Sequence, residues 1–243
     1  MNTDPRASRI PPLVLVVADR PILAEVVQLA LRHGHFRTRL ALSVVEAEQA
    51  LTAGPPQLAI IDQDVGDGEI LAKLGYTSAG ASADRTPVLA LTRRGDLKTI
   101  LEAFEHGVDD IMTVPFSPEE LVARVLVIMR RTYQEAIPLN AKLTFGELEI
   151  DILNRSVRIG GHDLPLTSLE QSLLYLMAAN AGRVLTRDEI LDYLWGVDYI
   201  AESNIVDRHV RNLRAKLMND FRRPRYIATV PGQGYRFVPI AAD

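Results

Sequence analysis

Residues 203–217, Ser-Asn-Ile-Val-Asp-Arg-His-Val-Arg-Asn-Leu-Arg-Ala-Lys-Leu, carry the side chains best equipped to read another molecule. Val206, Val210, Leu213 and Leu217 recur at steps of four, three and four, so one stripe of a helix is apolar and faces a core. Asn204, Arg208, Arg211, Asn212 and Ala215 fall on another face, with Arg214 and Lys216 at its edges. A guanidinium pairs bidentately with the guanine edge and a carboxamide with the adenine edge, which makes Arg208, Arg211 and Asn212 candidates for base contacts, with Asn204 on the same ridge. His209, Arg214 and Thr229 are better placed for phosphates, which position a protein without reading sequence. A solvated charged helix is the alternative.

The elements that must present this ridge follow from the flanking sequence. Arg225 to Phe237 reads as two strands bent around Pro231-Gly232-Gln233-Gly234, and a helix followed by a short hairpin is the layout of a winged helix-turn-helix. Thr167 and Glu170 form a capping box at an earlier helix start, and Ser203 is placed to cap the ridge helix. Leu143 to Leu166 alternates apolar and polar positions, broken at 151–155 and at Gly160-Gly161, which predicts a small antiparallel sheet ahead of the helices.

Charge is divided unevenly along the 243 residues. The net charge of -4 resides in residues 1–141, with 14 Lys/Arg against 18 Asp/Glu, whereas residues 142–243 hold 13 of each. Within 203–225, seven basic side chains face two acidic ones, the local excess that phosphate attraction needs. With no cysteine, disulfides, thiol catalysis and cysteine-ligated zinc are excluded, and five scattered histidines show no paired metal spacing. No apolar run reaches the roughly 18 residues that span a bilayer, and Asp19 interrupts the first run too early for a signal peptide, so the chain reads as cytoplasmic, without a membrane partner.

The first half alternates. Leu13 to Ala18, Leu58 to Ile61, Val88 to Leu91 and Ile111 to Val114 suit buried parallel strands, separated by helical stretches at Ile22 to Leu31, Leu97 to His106 and Pro118 to Met129. The fold class is therefore α/β: a doubly wound five-stranded parallel sheet, followed by an α+β winged-helix unit. The expected boundaries are a disordered leader at 1–12, an α/β domain at 13–131, a linker at 132–142 ending a long helix at Pro138, and the winged-helix domain at 143–243. Reactive groups gather beyond the carboxyl ends of such strands, which selects Asp19, Asp62 and Thr92.

The motifs Leu166-Thr167-Ser168-Leu169-Glu170, Arg187-Asp188-Glu189-Ile190-Leu191, Leu194-Trp195-Gly196, Val206-Asp207-Arg208-His209-Val210 and Thr229 to Phe237 resemble the effector domain of OmpR/PhoB-type response regulators. Gly107-Val108-Asp109-Asp110 and Pro115 to Leu121 extend the resemblance to a flavodoxin-like receiver domain. The resemblance implies that Asp62 is the phosphoacceptor position, Asp19 a direct magnesium ligand and Thr92 the switch hydroxyl, with the Asp64 carbonyl completing an oxygen shell around Mg. Three departures from the family pattern accompany it: Ala18 replaces a second acid, Val114 replaces the lysine before Pro-Phe, and Ile111 replaces the switch aromatic. They predict a degenerate phosphorylation pocket with phosphate-independent or otherwise atypical control. Arg20, Arg93 and Arg94 flank the pocket, where one guanidinium either holds Asp62 in an ion pair or is merely solvated.

The same resemblance implies a homodimer through a face carrying Asp109, Asp110, Glu120, Arg124 and Arg131, beside the apolar Ile100, Ala103, Phe104 and Val127. Ile100 stands where a basic partner for Glu120 is usual, which predicts hydrophobic pairing without phosphate. Pro231 replaces a minor-groove arginine, leaving Gln233 part of that role or leaving a stiff turn without groove contact. Arg208 stands where an apolar residue is usual. The loop from Trp195 to Ala201 matches a segment that touches RNA polymerase in relatives, with a packed Trp195 as the alternative. Implied partners are thus double-stranded DNA, a second copy, RNA polymerase and a sensor histidine kinase. The chain is not expected to be an enzyme, since a phosphohydrolase would lack its lysine and second acid. A conventional regulator phosphorylated on Asp62 and a protein-interaction adaptor stay open.

Overall fold

The computed structural model describes residues 11–34, 36–63, 65, 70, 76–77, 80–81, 85–93, 96–133, 142–151, 154, 156–196, 204–218 and 222–238. In the first half β1 (Leu13–Val17), α1 (Pro21–Leu31), β2 (Arg37–Ala41), α2 (Val44–Thr52) and β3 (Leu58–Asp62) follow one another, then a short antiparallel pair, β4 (Tyr76–Thr77) and β5 (Gly80–Ala81). Next come β6 (Val88–Thr92), α3 (Leu97–Glu105), β7 (Asp110–Thr113) and α4 (Pro118–Tyr133). The strands form a five-stranded parallel sheet in the order β2-β1-β3-β6-β7, as the alternation predicts.

Strands β1, β3 and β6 are buried along their whole length, which is why their sequences are continuously apolar. The two faces of β1 feed two cores: Val14 and Val16 pack with α1 and α4, while Leu15 and Val17 pack with Ala47 and Ala50 of α2 and Ala103 of α3. The missing fifth strand of the sequence reading is β2, Arg-Thr-Arg-Leu-Ala, an edge strand whose outer positions are exposed and polar. Ser43 and Asp96 cap α2 and α3 by accepting from the amides of Glu46 and Thr99.

In the second half β8 (Lys142–Phe145), β9 (Leu148–Asp151), β10 (Ser156–Ile159) and β11 (His162–Asp163) form the antiparallel sheet expected there. Then follow α5 (Ser168–Ala179), β12 (Val184–Thr186), α6 (Arg187–Trp195), α7 (Ile205–Lys216), β13 (Ile227–Val230) and β14 (Gly234–Phe237). The predicted hairpin is β13–β14, and β12, only three residues long, adds a third strand against β14 that periodicity did not reveal. The Thr167/Glu170 capping box is present, and a second, Thr186/Glu189, opens α6.

Two boundaries differ from expectation. The long helix includes Thr132 and Tyr133 and strand pairing has begun at Lys142, so both ends of the 132–142 segment belong to regular elements, while Pro138 lies outside the described residues. At the start, Pro11 and Pro12 accept hydrogen bonds from the Arg37 guanidinium (3.1 Å) and the Arg37 amide (2.9 Å), so these two residues flank the sheet instead of trailing from it. The α1/α4 side of the first half and the core of the second half form one continuous apolar cluster, from Val14 to Phe237.

Candidate nucleic-acid interface and acidic pocket

Helix α7 buries Ile205, Val206, Val210 and Leu213, with Leu217 just past its end, and leaves Asn204, Arg208, Arg211, Asn212 and Ala215 exposed. The apolar stripe and the ridge thus lie where the spacing placed them. Asn204 is the N-cap and makes no side-chain cap bond, and Ser203, expected there, lies outside the described residues.

A polar cluster that sequence reasoning missed fixes the angle of α7. Asp207 accepts from Arg187 at the start of α6 (Nε 3.0 Å, Nη2 2.8 Å) and from the Tyr235 hydroxyl on β14. The guanidinium carbons of Arg187 and Arg214 lie 5.1 and 5.3 Å from the centre of the Tyr235 ring. Arg187 and then Tyr235 hold the Asp207 carboxyl below its usual range against the effect of burial, whereas burial and Asp207 raise the Tyr235 hydroxyl. The available signal was an acid, Asp207, alone among the basic residues of this helix.

All four of the expected phosphate-facing or ridge-edge groups, Arg214, Thr229, Lys216 and His209, are engaged inside the domain. Arg214 donates from Nε to the Ile227 carbonyl (3.2 Å) and from Nη2 to Thr229 Oγ1 (2.8 Å), bracing α7 on β13. Lys216 donates to Glu170 (2.6 Å) and the Pro165 carbonyl (2.9 Å), tying α7 to the cap of α5. Although burial opposes it, the bonds from Lys216 and Thr167 keep Glu170 below the ordinary carboxylate range. His209 packs on Trp195, ring centres 5.4 Å apart, and burial followed by the Arg208 charge lowers its pKa. Helical phase directs these side chains outward, but long side chains lean along the surface to nearer acceptors. Trp195 itself is half-buried against the core, and the rest of its loop lies outside the described residues.

The wing turn is local chemistry. Gln233 N–H donates to the Val230 carbonyl (3.0 Å), with Pro231 and Gly232 (φ 71°) as the central residues of the turn, the proline and positive-φ positions of a type II turn. Gly234 (φ 155°) lies so close to β12 that an added Cβ would stand 2.0 Å from the Leu185 carbonyl oxygen. Pro231, Gly232 and Gln233 are exposed.

At the carboxyl ends of the parallel strands, Asp62 and Thr92 are buried on the neighbouring strands β3 and β6. Ala18 and Val114, both buried, occupy the ends of the next strands on either side. Asp19 is exposed, and Arg20 brings Nη2 to 3.8 Å from Asp62 Oδ2. Asp64 and Arg94 lie outside the described residues. Among the described residues no three His, Cys, Asp or Glu side chains come together as metal ligands, and a guanidinium stands beside the buried carboxylate.

Of the face implied for pairing, Arg124 binds Asp110 (2.7 Å) and Glu120 (2.8 Å) within its own chain, and both bonds raise its pKa. Asp109 is held bidentately by Arg85 (2.6 and 2.7 Å) and accepts from the Val88 amide (2.8 Å). Ala103, expected among the apolar contact residues, is buried beneath α3 because it points into the α2/α3 core. The exposed stripe is instead Leu97, Leu101 and Phe104 on α3, with Val127 on α4 and Arg131 exposed near its end.

A parallel sheet with an acid at the end of its central strand, joined to a helix-and-wing unit, defines a two-domain response regulator. The family of response regulator receiver domains matches residues 14–126, and that of the C-terminal domain of transcriptional regulatory proteins matches 161–237. The probable transcriptional regulatory protein TcrX of Mycobacterium tuberculosis is 35% identical over 237 residues, 96% of this chain and 98% of its own. The DNA-binding response regulator MtrA of Mycolicibacterium smegmatis is 34% identical over 231 residues, 93% of this chain and 96% of its own. Among solved structures, the Klebsiella pneumoniae RstA DNA-binding domain in complex with the RstA box is 37% identical, covering 40% of this chain and 97% of that one, with a TM-score of 0.38. The chain belongs to the OmpR/PhoB-type response regulators. Among the described residues no helix is long and apolar enough to cross a membrane.

Proposed function

We propose that this protein is a cytoplasmic, sequence-specific regulator of transcription that binds double-stranded DNA through α7. The observation that carries this reading is the exposed ridge of Asn204, Arg208, Arg211 and Asn212 beside an exposed wing, with the helix pinned by the Arg187–Asp207–Tyr235 cluster. Arg211 and Asn212 read base edges, while Arg208 joins them from the N-terminal half of the ridge. Titrating the full chain with duplex DNA over a range of salt tests this. A steep linear fall of log affinity with log salt supports DNA binding, and a flat dependence favours a protein-docking adaptor.

Control is atypical in this reading. A carboxylate faced by Arg20, without the second acid or the lysine of its relatives, is already electrostatically compensated. Asp62 is therefore expected to stay unmodified and the protein to bind DNA without a phosphoryl group. Intact mass after incubation with magnesium and a small-molecule phosphodonor, with D62N as control, decides the matter. A gain of one phosphoryl group absent in the control would restore the conventional Asp62-phosphorylated reading and a kinase partner. The DNA-bound species is a homodimer formed through the α3/α4 face, and contact with RNA polymerase, if made, uses the loop after Trp195.

A further inference from the structure

Helix α1 is apolar on nearly every side. Of Pro-Ile-Leu-Ala-Glu-Val-Val-Gln-Leu-Ala-Leu, only Glu25 and Gln28 are polar, and eight of the eleven residues are buried. A helix lying on a sheet needs one apolar stripe, and one that is apolar all round is buried all round. The sheet and α4 cover part of α1, and α5 of the effector half covers the rest. Directly after α1, buried His33 stacks on buried Tyr175 of α5, with ring centres 6.3 Å apart and planes within 22°. Glu119 at the start of α4 and Ser172 of α5 line one small cleft along the same seam. Meanwhile the α7 ridge, the wing and the α3 stripe all stay exposed, so this contact uses neither the DNA-facing nor the pairing surface.

The amino end of this seam reaches the acidic pocket. The Arg20 carbonyl accepts from the amides of Leu23 (3.1 Å) and Ala24 (3.2 Å), starting the first turn of α1, while the Arg20 side chain faces Asp62. On the effector side, the Arg20 charge opposes the upward shift that burial gives the Tyr193 hydroxyl on α6. One residue thus joins the pocket to the first turn of the docking helix.

We propose that the outward face of α1 is a docking surface for α5 of the same chain, which holds receiver and effector as one body with the DNA ridge open. Arg20 is the positioning residue that ties this docking to the charge at Asp62. The openness of the ridge matters only under the DNA-binding reading above, whereas the docking is measurable without DNA.

Because the chain has no cysteine, E119C and S172C introduce a unique pair across the seam. A short bismaleimide is expected to link them within one chain, identified by peptide mass on the monomer band. The linked protein should bind a random-sequence 30-base-pair duplex at low salt within about twofold of the unlinked protein. Absence of an intrachain link overturns the docking. A link that abolishes binding overturns the open arrangement, provided that the unlinked pair binds, whereas loss of binding in both indicts the DNA reading alone. In the same background R20A and D62N should each slow linking several-fold, the double variant no more than either, and R20K should recover part of the rate. Unchanged rates, or additive effects, remove Arg20 from the connection.

Discussion

Arg211 and Arg214 differ by three positions and by fate. Arg211 is exposed on the ridge, so R211A should cost about 1 to 3 kcal/mol of binding and relax preference at one base, measured on a panel of single-base variants of a selected site. Arg214 spans α7 and β13, so R214A should lower the melting temperature of the effector domain before it alters base preference. At Gly234, a methyl group would meet the Leu185 carbonyl in a backbone region that disfavours side chains. G234A should therefore destabilise the domain by about 3 kcal/mol, read from urea unfolding. His209 has a folded pKa below its unfolded value, so the unfolded chain binds the extra proton first. Its contribution is complete above about pH 6.5 and is lost as pH falls through the lower folded value. Replacing His209 by Gln should flatten that part of the stability–pH curve. Which residues could touch DNA was legible from helical phase, but which of them were already engaged was not, because Thr229, Ile227 and Glu170 come from other elements.

Helix α3 shows how little an element reveals of its neighbours. Its apolar positions Leu97, Ile100, Leu101, Ala103 and Phe104 surround more than one face, and only packing separated buried Ala103 from exposed Leu97, Leu101 and Phe104. The ion pairs beside them close within the chain and are worth about 0 to 1 kcal/mol each at an exposed site, so the proposed self-association would rest on the apolar stripe. Sedimentation of the unphosphorylated protein at tens of micromolar should show a dimer, and L101E with F104E should return it to monomer. A wild-type monomer under those conditions removes the proposed phosphate-free pairing. The strands with continuous apolar runs were legible, as was the wing, whose Pro-Gly pair dictates its turn. Strands β2 and β12 were not, since a polar edge strand and a three-residue strand carry too little periodicity.

At the scale of the molecule, the apolar cluster runs without a break from the receiver sheet through α1 into the effector core. Calorimetry should accordingly give one unfolding transition with equal van't Hoff and calorimetric enthalpies, whereas two beads on a linker would give two. A polar substitution on the buried α1 face, L29Q, should split the transition or lower it as a whole. Sequence by itself determined the two folds, their order, the recognition ridge and the altered pocket composition, because periodicity, turn chemistry and strand-end position are local properties of the chain. Tertiary structure decided that Arg20 stands beside Asp62, that Asp207 is clamped between α6 and β14, and that the second apolar face of α1 meets α5. Those outcomes depend on which surfaces, distant along the chain, come within a few ångströms of one another, and short-range spacing carries no record of that.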